Sequence, residues 1–259
     1  AKKALAGLRR EHRSFARTSG NTTRIGAAMT EAAVPLARAR DDLDAAPLDV
    51  NTESGVLRFA VSGGGDEGFS RTADVTLIPH ERGQYMTKLM PVAYDPGADA
   101  PLFRAFLNRV QPDEEMQGFL QRWLGLSMTA LTGEQKLSFW YGDGSNGKSV
   151  LADLIARMMG DYASTAKIES LTGSNRRGGG DATPDLVPLM GARFVRASEP
   201  EQGEKLQEGL LKELTGGEPL LIRALHSDFI EERPVFKLTI SGNHKPDIRT
   251  SCGPSGPGS

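Results

Sequence analysis

The chain holds one cysteine in 259 residues, Cys252, so no internal disulfide framework can form. That composition fits a reducing compartment, where thiols stay free. No apolar run approaches the roughly 20 residues that a membrane-spanning helix requires. The opening stretch AKKALAGLRREHRSF is basic but lacks the apolar core of a secretory leader. Excess charge of one sign is also missing: the net charge is −2 and the pI about 6.2. Near-neutrality leaves nucleic-acid binding open, because such binding needs a local basic patch rather than a basic whole. The four histidines are scattered and no cysteine partners them, which argues against zinc. There is no internal repeat. The chain starts at Ala1 rather than Met, as a fragment or trimmed protein would.

Several kinds of segment are present. Residues 1–45, within an N-terminal segment or linker of 1–50, have helical spacing, with Leu5, Leu8 and Phe15 on one face and Ile25, Met29, Ala33 and Leu36 on another. They read as packing helices with a solvated basic face, serving as an N-terminal segment or linker. Residues 51–128 begin with two runs of strand composition, GVLRFAV and ADVTLIP, separated by SGGGDEG, as in a small hairpin or sheet. Two helices are expected next. One has Pro101 in its first turn and an apolar set of Leu102, Phe103, Phe106, Leu107 and Val110. Pro112 is expected to open the other, with Met116, Phe119, Leu120, Trp123 and Leu124 as a core stripe and Gly125 as its cap. From 129 to 250 the pattern alternates: strand LSFWYG, helix 147–160, strand ARFVRAS, helix 203–214, strand VFKLTIS. Such alternation indicates a three-layer α/β domain. Residues 171–185, LTGSNRRGGGDATPD, read as an exposed mobile loop, and 251–259, SCGPSGPGS, as a tail that cannot pack a core.

The stretch YGDGSNGKS fits the pattern G-x-x-x-x-G-K-[ST] through Gly142, Gly147, Lys148 and Ser149. A strand precedes it and the helical run VLADLIARMM follows, the context in which the pattern binds phosphate. Glycine removes the Cβ atoms, so main-chain N–H groups can turn toward phosphate oxygens. The helix start adds its unpaired N–H groups and positive dipole end. Gly142, Gly144, Ser145, Asn146, Gly147, Lys148, Ser149 and Val150 are therefore the expected nucleotide-binding set. Lys148 would neutralise the β- and γ-phosphates of ATP, and the Ser149 hydroxyl would ligate Mg²⁺. The strand ARFVRAS runs into Glu199, with Glu201 two residues on. A carboxylate there could hold Mg²⁺ through water or act as general base. Asn243, after the strand FKLTIS, could orient an attacking water or sense the γ-phosphate without adding charge. Lys148, Glu199 and Asn243 are thus the candidate catalytic residues, and Ser149 and Glu199 the candidate metal ligands.

These blocks resemble the superfamily 3 helicases, specifically the phage/plasmid primase–helicase family related to poxvirus-like helicases. The matching stretches are YGDGSNGKSV, GARFVRASEPEQGEKL, LLKELTGGEPLLIRAL and FKLTISGNHKPDIR, with LIPHERGQYMTKLMPVAYDP similar to a pre-helicase domain. The resemblance implies an AAA+-like P-loop ATPase core, preceded by a mostly helical domain with a small β element. It implies rings, commonly hexamers, acting on single-stranded or forked DNA, with an upstream primase domain or replication proteins as partners. It further implies a cytoplasmic setting in a bacterial or phage-infected cell, away from any membrane. PLLIRALHSDFI is similar to the segment that forms a DNA-contacting hairpin, with its turn around His226, Ser227 and Asp228. Arg223, His226 and Lys245 are the DNA-binding candidates, since unspecific single-strand binding uses cations for phosphate and polar tips for sugar.

After NHKPDIR the chain changes to TSCGPSGPGS, where relatives carry arginines, one of which reaches a neighbour's ATP. The expectation is a truncated core lacking that residue, whose loss can cost ~10³–10⁵ in rate in phosphoryl-transfer systems. The leading reading is an ATP-dependent DNA helicase module of a phage- or plasmid-type replication protein. The alternative is a nucleotide- and DNA-binding remnant without motor activity. A small-molecule P-loop kinase explains the glycine loop but neither the LTGG block nor GNHKP.

Overall fold

The structure is a computed structural model that describes residues 11–15, 18–62, 72–172, 182–198 and 205–244. Two compact units divide between Leu43 and Asp44. In the first, helix α1 (Thr22–Ala33) begins at Asn21, whose side chain accepts from the Thr23 amide. The apolar stripe expected to pack does not: α1 buries none of its residues, and Ile25 and Met29 are exposed. Leu5 and Leu8 lie outside the described residues.

The second unit starts with a three-stranded antiparallel sheet, β1 (Asp49–Thr52), β2 (Gly55–Ser62) and β3 (Thr72–Ile78). The expected hairpin is β2–β3, with Val56 opposite Ile78 and Phe59 opposite Val75. Its glycine-rich connection lies outside the described residues. β1 adds a third strand in register Val50–Leu57 and spans the 50/51 line drawn from composition.

Helix α2 (Pro101–Val110) has proline in its first turn, where a missing N–H costs nothing. Helix α3 (Glu114–Met128) differs from expectation at both ends. Asp113, not Pro112, opens it, because the Asp113 carboxylate accepts from the amides of Glu115 and Met116. Gly125 lies inside the helix rather than capping it. The roughly 1 kcal/mol cost of an interior glycine is offset by the packing of Leu124 and Met128 and by Thr129, whose hydroxyl donates to the Leu126 carbonyl at 2.8 Å. Of the expected stripe, Trp123 is buried and Leu120 and Leu124 are partly so, but Met116 and Phe119 are exposed.

The remaining core is a four-stranded parallel sheet in the order β4 (Ser138–Tyr141), β9 (Lys237–Gly242), β6 (Phe194–Ala197), β5 (Ala163–Ala166). Alternation along the strands sends their side chains to two faces. Phe139, Val195, Ala197, Leu238 and Ile240 meet Leu211 and Leu214 of α5 (Glu208–Gly216). Trp140 and Phe194 meet Leu151, Ile155 and Met159 of α4 (Lys148–Met159), with Val50 and Leu57 of the small sheet in the same cluster. Helices therefore cover both faces, giving a mixed α/β unit around a parallel sheet. Of the stretch 171–185 expected as an exposed loop, Leu171, Thr172 and Thr183 are buried instead, and 173–181 lie outside the described residues. Each fully buried side chain of this size contributes about 1.5–3 kcal/mol. Among the described residues no helix is long and apolar enough to cross a membrane.

Two cations are buried in this core, and one of them, Arg193, joins the small sheet to the large one. Arg193, 2% exposed, donates to the carbonyls of Asp49 at 2.7 Å, Met128 at 2.8 Å and Ala46 at 3.3 Å. Its guanidinium lies 4.6 Å from the Tyr162 ring centre, and the Tyr162 hydroxyl accepts from the Asn51 amide. Lys237, 3% exposed, donates to the carbonyls of Thr129, Leu131 and Val235. Burial, with repulsion from Arg193, pushes its ammonium down to about 7.

Candidate phosphate-binding edge

Parallel strands end on the same side of a sheet, and open α/β sheets bind ligands there. Tyr141, the last residue of β4, pairs with Gly242, so Asn243 leaves β9 beside the point where the glycine loop leaves β4. β6 ends one strand further along, with Ala197 paired to Ile240. The main chains that carry the first and last candidate motifs are thus neighbours at one edge. Glu199, Glu201 and Lys245 lie outside the described residues, and so do residues 250–259.

Three residues of the loop have positive φ. Gly142 has φ +145°, Ser145 +62° and Gly147 +86°. A Cβ on Gly142 would come 2.7 Å from the Asn146 side-chain nitrogen, whereas one on Gly144 would meet nothing within 4 Å. Lys148 folds back over the loop: its Nζ donates to the Gly142 carbonyl at 2.6 Å, to Asn146 Oδ1 at 2.9 Å and to the Asp143 carbonyl at 3.3 Å. The ammonium therefore already sits inside the ring of loop atoms.

The start of α4 supplies the other half of an anion site. Its first intrahelical bond runs from the Leu151 amide to the Gly147 carbonyl, and no side chain caps this end. The amides of Lys148, Ser149 and Val150 precede that bond, the situation in which helix starts take up phosphate. Ser149 is exposed, so its hydroxyl is accessible to a cation. These residues fit a triphosphate with Mg²⁺: donors converge, a lysine is in place, and a hydroxyl stands at the helix start. Among the described residues no group of three or more acidic, histidine or cysteine side chains could hold a metal by itself, so a bound cation would lean on phosphate oxygens and water.

Sequence reasoning missed what lies against this loop. A Cβ on Gly147 would approach Val110 Cγ1 to 2.7 Å and Phe106 Cε2 to 3.3 Å, so the end of α2 rests on the loop's last turn. The apolar pattern of α2 marked a packing helix but carried no information about its target.

The DNA-binding candidates lie on another element. β7 (Leu220–Ile222) and β8 (Ile230–Glu232) form an antiparallel hairpin with Ile222 opposite Ile230. α5 ends at Gly217 in the left-handed conformation expected of a glycine cap, φ +75°. Leu211 and Leu214 are buried and Lys212 is exposed. The turn contains His226 at φ +60°, exposed, and the Arg223 guanidinium lies 4.6 Å from the Phe229 ring centre. Exchange of hydrogen bonds between Arg223 and Thr183 fixes the hairpin's base.

Residues 1–112 match the protein family described as D5 N terminal like. A protein named "Putative helicase" in Acanthamoeba polyphaga mimivirus is 30% identical over 145 residues, covering 56% of this chain and 15% of its own length. Another of that name in Frog virus 3 is 32% identical over 149 residues, with the same 56% and 15%. A "Putative primase" of African swine fever virus is 26% identical over 173 residues, covering 65% of this chain and 18% of its own. Among solved structures, the apo NrS-1 C-terminal region aligns with a TM-score of 0.45 and 19% identity, over 58% of this chain and 35% of that one. The chain thus spans 15% of the length of the first two relatives. Residues 1–112 are thus similar to the D5 N-terminal-like family, and the relatives that match the chain are proteins of large DNA viruses named as helicases or a primase.

Proposed function

We propose that this chain is the ATP-hydrolysing module of a DNA helicase, an AAA+-like motor of the superfamily 3 type that works on single-stranded DNA as a ring of copies. The observation that carries the reading is the shared sheet edge: the loop Gly142–Ser149 and Asn243 leave adjacent parallel strands at paired positions. The names of the viral relatives support the same class.

Catalysis of this kind is positioning and charge neutralisation. The amides at the start of α4 and of the loop hold the β-phosphate, and Lys148 exchanges its loop carbonyls for phosphate oxygens. Ser149, with Glu199 through water, would hold Mg²⁺, which would supply additional neutralisation of the phosphates. Glu199 takes the proton of the attacking water, and Asn243 orients that water beside the terminal phosphate. Arg223, His226 and Lys245 contact the DNA backbone from the hairpin and the segment after β9.

The test is DNA-stimulated ATPase and unwinding in the parent chain, Lys148→Ala and Asn243→Ala. Loss of turnover in both variants, with binding lost only in Lys148→Ala, is the expected result. Equal turnover in the parent and Lys148→Ala would remove the site assignment. Nucleotide binding without turnover in the parent would reduce the function to a binding module.

A further inference from the structure

A cavity opens directly off the glycine loop. It has a volume of about 330 Å³ and shares Asn146, Gly147 and Lys148 with the phosphate-binding edge. Its other walls come from the end of α2 (Gln111), the start of α3 (Met116, Leu120) and β4 (Trp140, Tyr141). The size lies at the lower end of the range for small-molecule sites, about 300–1,000 Å³. Its lining is aromatic and aliphatic with few polar groups. The Gln111 side chain is half-buried and makes no hydrogen bond with the described residues; its main chain does, the N–H donating to the Leu107 carbonyl at 2.8 Å and the carbonyl accepting from Gln117 at 2.7 Å. On the β4 wall, the indole nitrogen of Trp140 is buried and has no partner among the described residues. An apolar slot with a free carboxamide suits a flat heterocycle better than a hydrocarbon.

We propose that this cavity receives the nucleobase of the bound nucleotide and that the Gln111 carboxamide selects adenine; this rests on the phosphate-binding reading of the loop. A carboxamide offers a donor and an acceptor side by side. Adenine presents the matching amino group and ring nitrogen, and this pairing is the one by which Asn and Gln read adenine in nucleic acids. Guanine presents two acceptors on the same edge and leaves the amide oxygen unpaired. Aromatic side chains such as Tyr141 supply a stacking surface that tolerates any base, so they add affinity without choice. The base site is therefore built from the helices that precede the parallel sheet.

The test measures competition against a fluorescent ATP analogue by ATP, GTP and inorganic tripolyphosphate, using the parent chain, Gln111→Leu and Met116→Trp. Gln111 lies at a helix end and Met116 is 41% exposed, so both variants should fold, and circular dichroism checks this. The parent should prefer ATP over GTP, and ATP over tripolyphosphate, each on the order of tenfold. Gln111→Leu should bring ATP and GTP within about threefold of each other, with tripolyphosphate unchanged. Met116→Trp, which fills the cavity, should weaken both nucleotides and leave tripolyphosphate unchanged. If tripolyphosphate competes as well as ATP in the parent, the base site is wrong while the phosphate site stands. An ATP preference that survives Gln111→Leu removes Gln111 as the reader. If neither ATP nor tripolyphosphate competes, the phosphate-binding reading has failed and this proposal goes with it.

Discussion

Gly147 offers the sharpest test of how the loop is held. It sits at φ +86° at the start of α4. Alanine in that left-handed conformation costs roughly 1–2 kcal/mol. Its Cβ would also lie 2.7 Å from Val110 Cγ1, closer than carbon atoms tolerate, and 3.3 Å from Phe106 Cε2. Either the loop or the end of α2 must move by roughly 0.8 Å to restore the ~3.5 Å separation of packed carbon atoms, and overpacking of this kind costs about 1–3 kcal/mol. Gly147→Ala should therefore destabilise the second unit by about 2–5 kcal/mol, a large share of the 5–15 kcal/mol that holds a typical domain. Val110→Ala removes the obstructing methyl groups but leaves the backbone strain. In a double-mutant cycle read by urea unfolding, the pair should show a favourable coupling of about 1–3 kcal/mol. Binding of a fluorescent ATP analogue should fall in the single glycine variant, because the turn sets where the following amides point, and should partly recover in the double variant. The reasoning is refuted if Gly147→Ala unfolds within about 0.5 kcal/mol of the parent, or if the two substitutions add without coupling.

Other outcomes follow from the same structure. Lys237 titrates at about 7 in the folded chain against an ordinary 10.5. Between those values the unfolded chain holds a proton the folded one has released, so this group makes stability rise with pH through that window and contributes no slope below it. Urea midpoints from pH 6 to 10 should thus climb more steeply for the parent than for Lys237→Met. Trp123→Phe loses the indole hydrogen bond to Thr239 Oγ1, 3.0 Å long, and leaves a void above β9; thermal or urea unfolding should show a loss of about 1–3 kcal/mol. Arg223→Ala should weaken single-stranded DNA binding equally across sequences and lower the slope of log affinity against log salt by about 1. An unchanged salt slope would take Arg223 away from the phosphate backbone.

The order of the main elements was legible because their signals are local. Val-, Phe- and Ile-rich runs gave β4, β6 and β9, and the glycine loop lies between a strand and a helix as its pattern requires. β5 was not legible: ASTA has neither length nor an apolar run, and it is a strand because β6 pairs along it in register. β1 was hidden for the same reason, in the polar stretch DVNT. Gly125 misled because glycine ends many helices, yet here packing of the residues around it carries the helix another turn. Arg193 and Lys237 each stand at the head of an apolar strand, where a charge ordinarily marks the exit to solvent. Only the approach of distant carbonyls, from Ala46 to Leu131, makes those positions interior. The base pocket was invisible for a related cause: Gln111 and Tyr141 are 30 positions apart in sequence, and no periodicity links them.

The cations at Arg193 and Lys237 also bear on how such a protein can be divided. Carbonyls from Ala46 and Asp49, from the end of α3, and from Val235 are all satisfied by two side chains rooted at the starts of β6 and β9. A protease nick between the antiparallel and parallel sheets would not release two self-sufficient pieces, since one would keep the dry Arg193 guanidinium and the other its acceptors at Ala46 and Asp49. The region from Asp44 to Gly242 should melt in a single cooperative step. Grafting the upstream part of one viral relative onto the sheet of another should succeed only when both cations and the backbone that receives them travel together.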